Sequence, residues 1–228
     1  MRSIEREAAE YLGVLARYGR VNRTLLRRSW QRAEALTGRR DWRGWKVLNI
    51  GSGAGWETDW LIERGTEVTA MDVTWTFLAL GLGRSVHYVQ GDGMRLPFRD
   101  DAFDLVVMNG TLHHIPDTMA ALRECRRVGR RLLVVREPRE IPGLRWIMKL
   151  VRWNLEYDGL DTLRFSDQRL KAQTRKAGYG CRVLTEWSFC PWFPPDWTAP
   201  VITRLFSLLN RAARCFGNSV TLYGEVNW

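Results

Sequence analysis

The chain is poor in the residues that most often hold a metal or a disulfide framework. Its 228 residues include three histidines and four cysteines. The cysteines, Cys125, Cys181, Cys190 and Cys215, are scattered and form no C-x-x-C pair. No zinc or other metal site is expected from such a set. Reduced cysteines in a cytoplasmic protein are the simplest reading. No run of about eighteen apolar residues exists, which excludes a helical membrane span. The amino terminus, Met1-Arg2-Ser3-Ile4-Glu5-Arg6-Glu7, is charged and helical in pattern and has no secretory core. Lysine is scarce as well. Lys46, Lys149, Lys171 and Lys176 are four of the 35 basic residues, leaving 31 arginines and a net charge of +10. A basic surface attracts phosphate groups, of nucleic acid or of anionic lipid, or serves only as a solvated exterior. No repeat, low-complexity tract or linker divides the chain, and its length suits one domain with a sizeable core.

Against these absences stands one dense signal. Val47-Leu48-Asn49-Ile50 reads as a buried strand and runs directly into Gly51-Ser52-Gly53-Ala54-Gly55-Trp56, after which a helical pattern begins. Glycines let a backbone turn tightly and approach a ligand closely. A nicotinamide or flavin fingerprint calls for glycine or alanine at the sixth position, where this chain has Trp56. The departure turns the reading from dinucleotides toward S-adenosylmethionine. A second strand, Glu67 to Met71, ends in Asp72, about twenty residues beyond the loop, where a doubly wound fold places a ribose-binding carboxylate. An acid capping the next helix is the structural alternative. A third strand, Val86 to Gln90, ends in Gly91-Asp92-Gly93. A fourth, Phe103 to Met108, ends in Asn109-Gly110, and a fifth, Arg131 to Val135, ends in Arg136-Glu137-Pro138. Short apolar strands separated by helical or loop segments give the rhythm of a parallel sheet with crossover helices.

Residues 46–138 resemble a class I S-adenosylmethionine-dependent methyltransferase of the small-molecule and lipid type. Gly91-Asp92-Gly93-Met94-Arg95-Leu96-Pro97-Phe98 is similar to that family's adenine loop, and Leu112-His113-His114-Ile115-Pro116-Asp117 to the loop after its fourth strand. The resemblance implies an α/β, Rossmann-like, doubly wound seven-stranded sheet, mostly parallel with an antiparallel last strand. It implies that Gly51, Ser52, Gly53 and Gly55 line the methionine and ribose part of the cofactor. By the same carry-over Asp72 holds the ribose, Val73 packs on the adenine, and Asp92 with Gly93 and Met94 reads the adenine edge. Asn109 would lie near the sulfonium. Asn49 stands where the family usually has an acid that helps to place the methionine end. Asparagine keeps an acceptor oxygen and loses the charge, so weaker cofactor binding and a non-methylating relative stay open.

The flanks carry the acceptor specificity. Residues 1–228 are read as one domain: a helical amino-terminal lid (1–45), the cofactor-binding core (46–138) and a substrate-side remainder (139–228). Residues 1–46 hold twelve basic residues against five acids. They read as two helices, with Tyr11, Arg17, Tyr18 and Trp30 either facing substrate or packing in the core. A helix is expected at Gly143 to Trp153, with Arg145, Lys149 and Arg152 on one face and tryptophans on its apolar body. A helix from about Phe165 to Gly178 leads to a sixth strand from Cys181 to Phe189. A helical insertion (188–219) precedes the last strand. It opens with Cys190-Pro191-Trp192-Phe193-Pro194-Pro195-Asp196-Trp197, followed by an amphipathic helix. In that helix Val201, Ile202, Leu205, Leu208, Leu209, Ala212, Ala213 and Phe216 lie opposite Arg204, Ser207, Arg211 and Arg214. The insertion is read as an apolar wall or lid for the acceptor, with 143–155 and 200–216 as segments able to touch a membrane surface peripherally.

Should the acceptor need to lose a proton, His113 and His114 are the candidate bases, with Glu137 a weaker one. A small-molecule or lipid acceptor fits these features. An RNA methyltransferase is the alternative that the charge suggests, although Met108-Asn109-Gly110-Thr111 lacks the proline-proline-aromatic motif for base amines. The Cys190-Pro191 step lies far from the position of a carbon-methylating cysteine. A non-catalytic interaction protein on the same fold is the third reading.

Overall fold

In the computed structural model, residues 19–140, 165–188, 195–212 and 217–226 are described. Seven strands form one sheet: β1 (Lys46–Ile50), β2 (Glu67–Asp72), β3 (His87–Gln90), β4 (Leu105–Asn109), β5 (Arg131–Pro138), β6 (Gly180–Glu186) and β7 (Ser219–Glu225). Their order across the sheet is β3-β2-β1-β4-β5-β7-β6. The first five are mutually parallel, and β7 runs antiparallel to both β5 and β6. This is the expected doubly wound sheet with an antiparallel last strand. The winding order of the strands reverses between β1 and β4, which opens a crevice at their carboxyl ends.

The helices are α1 (Arg20–Thr37), α2 (Trp56–Ile62), α3 (Trp75–Gly81), α4 (Thr118–Val128), α5 (Asp167–Lys176) and α6 (Ala199–Ala212). The central strands β1, β4 and β5 are mostly apolar because both faces are covered, and the two-residue period divides them between two cores. Leu48, Ile50, Val106, Met108, Leu132 and Val134 pack with Leu122 and Cys125 of α4 and Leu170 of α5. Val47, Leu105, Val107, Leu133 and Val135 pack on the opposite face with Trp30 and Ala33 of α1 and Leu61 of α2. Trp30 is 2% exposed and belongs to this core, which settles its role as packing. Tyr11, Arg17 and Tyr18 lie outside the described residues, as do 143–153, Cys190, Trp192, Phe193, Ala213, Arg214, Cys215 and Phe216.

The insertion helix α6 is present, and its apolar residues divide between an inward and an outward face. Ala199, Thr203, Phe206 and Asn210 face inward, and Val201, Leu205 and Leu208 are exposed. Polar pairing selects that face. Asn210 accepts from the Trp187 N–H (2.8 Å) and donates to its carbonyl (3.0 Å). Arg28 of α1 donates to the Thr203 carbonyl (2.7 Å) and to Ser207 (2.8 Å). Phe206 meets the Trp187 ring edge-on, and Val21 and Leu25 of α1 complete the contact. Turning the leucines inward would strand these buried amide groups, at a cost of about 1–3 kcal/mol each.

The two tryptophan and valine positions separate these roles. Trp30→Ala is expected to cost about 3–5 kcal/mol by urea denaturation, because it empties a packed site. Val201→Ser, on the outward stripe, should stay within about 0.5 kcal/mol of wild type.

Candidate functional site

The carboxyl ends of β1, β2 and β4 meet at the glycine turn. Gly51 and Ser52 donate to the Met71 carbonyl at 2.8 and 3.1 Å, and the Gly53 N–H donates to Asp72 Oδ2 at 3.1 Å. Asp72 Oδ1 accepts from Thr74 N–H at 3.0 Å, so this nearly buried carboxylate ties the turn to the end of β2. Burial pushes its pKa up, against the backbone N–H groups of Thr74, Gly53 and Val73. Gly51 has φ +66°, and a Cβ there would sit 2.3 Å from the Thr111 side chain. Glycine is therefore required twice over, by backbone sign and by space. Thr111 in turn donates to the Gly51 carbonyl at 3.4 Å.

Asn49, at the end of β1, is completely buried. Its side-chain N–H₂ donates to Glu57 Oε1 (3.1 Å) and to Thr58 Oγ1 (3.2 Å), while Asn109 of β4 donates to Glu57 Oε2 (3.3 Å). Glu57, in the first turn of α2, thus lies between the two strand ends. Sequence reasoning missed it. The available signal was an acid on the inward face of the helix after the turn, eight residues from an asparagine that stands where an acid is usual. Burial raises the Glu57 pKa to about 7, with Asp72 adding like charge and the two amides opposing. The side-chain oxygens of both Asn49 and Asn109 are buried without a hydrogen-bond partner.

After β4, Leu112–His114 form a single 3-10 turn. His113 is partly buried, and its Nδ1 lies 2.8 Å from Glu137 Oε2. Glu137 is 0% exposed and also accepts from the backbone N–H groups of Thr111, Leu112 and His113 at 3.0, 2.9 and 3.1 Å. A left-handed residue, Arg136 (φ +57°), breaks the β5–β7 register between Val134 and Glu137. Bulges of this kind re-aim the side chain that follows. His114 is exposed, with its ring 3.9 Å from that of His113. The two histidines are therefore unequal.

The remaining expected cofactor residues gather on the β2–β3 side. Val73 is exposed at the end of β2. Asp92 accepts from Met94 N–H at 2.8 Å in the turn after β3, and Gly93 lies against Ile115 and Ile50. Glycine turn, buried acids and orphaned amide oxygens fit an elongated ligand with a donor-rich end. Among the described residues, no group of three or more His, Cys, Asp or Glu could hold a metal ion. Cys125 and Cys181 are free thiols, and burial pushes both pKa values up, away from nucleophilic use.

Residues 48–132 match the family model described as a methyltransferase domain. A demethylmenaquinone methyltransferase of Mycobacterium tuberculosis is 38% identical over 133 residues, 56% of each chain. The Corynebacterium efficiens protein of the same name is 42% identical over 85 residues, 37% of each. The chain thus spans about half the length, or less, of the curated relatives it matches. A Thermotoga maritima protein described as a possible histamine N-methyltransferase superposes with TM-score 0.66 at 19% identity, over 96% of this chain and 98% of that one. A Haemonchus contortus phosphoethanolamine-type N-methyltransferase, with S-adenosylhomocysteine bound, gives 0.56 at 16%, over 86% and 52%. Likenesses at such identity show the fold.

The raised pKa of Glu57 has a consequence for stability. Its carboxyl titrates near 4.5 when unfolded and about 7 when folded. The folded protein holds the extra proton between those values, so stability falls as pH rises from about 4.5 to 7 and stays low above that. Glu57→Gln removes this loss, and the new amide can donate to an orphaned oxygen. Thermal denaturation at pH 8 without ligand should show the variant more stable, by roughly 1–3 kcal/mol. At pH 4.5 the two proteins should nearly coincide.

Proposed function

We propose that this chain, a member by domain and fold of the class I S-adenosylmethionine-dependent methyltransferases, methylates a small lipid-like acceptor that carries an acidic hydroxyl. The observation that carries the reading is the His113–Glu137 pair, on the segment whose Thr111 touches the glycine turn. The bound cofactor supplies a methyl group already activated by the sulfonium charge, so orientation and exclusion of water carry much of the catalysis. Asn49, Gly51, Ser52, Gly53, Gly55 and Asp72 would hold its methionine and ribose portions, with Asn109 near the reacting end. Val73, Asp92, Gly93 and Met94 would hold the adenine.

His113 is the base in this reading. Its Nδ1–H donates to Glu137, a tautomer assigned from that bond, which leaves Nε2 free to accept a proton. Glu137 is a positioning residue, since three backbone N–H groups already hold it as the acceptor. The exposed His114 is not needed for this step. The relatives' name points to a quinone-type acceptor, whose reduced ring bears hydroxyl groups. The outward face of α6 supports peripheral contact with the membrane that would hold such a lipid. Trp197 (81% exposed), Val201 (70%), Leu205 and Leu208 lie beside exposed Arg204 and Arg211. Residues 143–155 and 200–216 are the proposed contact.

Calorimetric titration with S-adenosylmethionine and S-adenosylhomocysteine should give micromolar binding, weakened tenfold or more by Asp72→Ala (about 1.4 kcal/mol). No binding by wild type would sink the enzyme reading. With a reduced naphthoquinone as acceptor, His113→Ala is expected to lower kcat by about 10²–10³-fold with cofactor affinity nearly unchanged. Full activity in that variant would remove His113 as the base.

A further inference from the structure

We propose that Glu57, reaching in from α2, receives the cofactor's ammonium group between Asn49 and Asn109, and so replaces the charge that position 49 lacks. The proposal rests on the cofactor reading above. It begins from hydrogen-bond accounting around a buried group. Glu57 is 5% exposed, and its oxygens accept from the two asparagine amides and from its own backbone N–H. Each of those amides is left with a buried, unpartnered oxygen. One carboxyl and two amide oxygens thus collect beside the glycine turn. An ammonium brings three donors and one positive charge. It would engage the acceptors that are unsatisfied and balance the buried carboxylate, which is costly to leave alone.

No cation of the protein itself does this among the described residues. Asp59, on the same helix as Glu57, is held by Arg84 at 2.5 and 3.0 Å. Asp72, at the end of β2, is a like charge bound to Gly53 and Thr74. Glu137, beyond β4, is bound to His113 and three backbone N–H groups. Among the described residues, the guanidinium of Arg84 comes to 3.2 Å from where a Gly55 Cβ would stand, and it is paired with Asp59. Because the pKa of Glu57 is raised to about 7 in the free protein, taking up a cation would release a proton, and the affinity would rise with pH.

The test is calorimetry of the full chain with S-adenosylmethionine and S-adenosylhomocysteine from pH 5.5 to 7, a range in which the ligands' amino group stays largely protonated (its ordinary pKa is about 7.7–8.0). Wild-type affinity for both ligands should rise roughly tenfold across that range. Titration in buffers of different ionisation enthalpy should show proton release at pH 7. Glu57→Gln should weaken both ligands by tenfold or more, flatten the pH dependence and abolish the release. Its thermal stability, measured in parallel, excludes misfolding as the cause. The double variant Asn49→Asp with Glu57→Gln should recover most of the lost affinity, because the acid then stands on β1. Wild-type affinity and an unchanged pH profile in Glu57→Gln would overturn the proposal. Weakening of S-adenosylmethionine alone would also overturn it, by placing the carboxylate against the sulfonium. A double variant no better than Glu57→Gln would overturn the replacement of the missing charge. A wild type that binds neither ligand refutes the cofactor reading itself, which is a different result.

Discussion

The missing side chain at Gly51 is the constraint on which the site depends. Three strand ends must meet there: β1 supplies the turn, β2 accepts its N–H groups at Met71, and β4 sends Thr111 to the place a Cβ would occupy. That closeness brings Asn49, Asp72 and Asn109 to one spot, although they lie far apart in sequence. The parallel register lines up the strands, with Asn49 beside Ala70 and Val107. The sheet provides the alignment, and the glycine permits the last approach. A larger residue would push β4 and its loop away and separate the amides that now flank Glu57.

Three acids are buried at this end of the sheet, and each is satisfied differently. Glu137 accepts four hydrogen bonds, three from successive backbone N–H groups and one from His113. Asp72 accepts from the backbone N–H groups of Gly53, Thr74 and Val73, and burial still raises its pKa. Glu57 accepts from two side-chain amides and its own backbone N–H, and burial raises its pKa to about 7. Glu137 is the best served of the three, with four hydrogen bonds. A fully served carboxylate is part of the scaffold, whereas a poorly served one has capacity left for a ligand. This ordering is why Glu137 reads as the group that orients His113, while Glu57 reads as the group that still lacks a partner.

Most of the sheet was legible because its physics is local. The strands ending at Ile50, Asp72, Gln90 and Asn109 are short apolar runs that stop at glycine or an acid, and every one falls within two residues of its place in the structure. The glycine turn and the antiparallel last strand followed from pattern and resemblance. What escaped depends on distant pairing. Glu57 drew no reading from the sequence, and only the convergence of β1 and β4 places it as a buried acid. The facing of α6 escaped for a related reason. Its leucines could cover a core, an acceptor or a lipid, and it is Asn210 and Thr203 that turn inward to backbone and arginine partners. A hydrophobicity pattern does not register where a buried amide will find its bonds.

The charge distribution gives these pieces a common sense. The chain carries a net +10, yet the ends of β1, β2 and β5 present Glu57, Asp72 and Glu137. Basic residues dominate the exterior instead, with Arg23 and Arg27 on α1 and Arg204 and Arg211 on α6 all exposed. A buried carboxylate acts through a low local dielectric and is little screened by salt, whereas surface arginines act through water over about 8–10 Å. The two sets therefore address different partners. The interior acids suit a cationic ligand held at short range in the crevice. The exterior arginines suit an anionic surface approached from a distance. On the proposed reading, a cationic cofactor and a membrane-borne acceptor would need both, with acids inside and arginines outside.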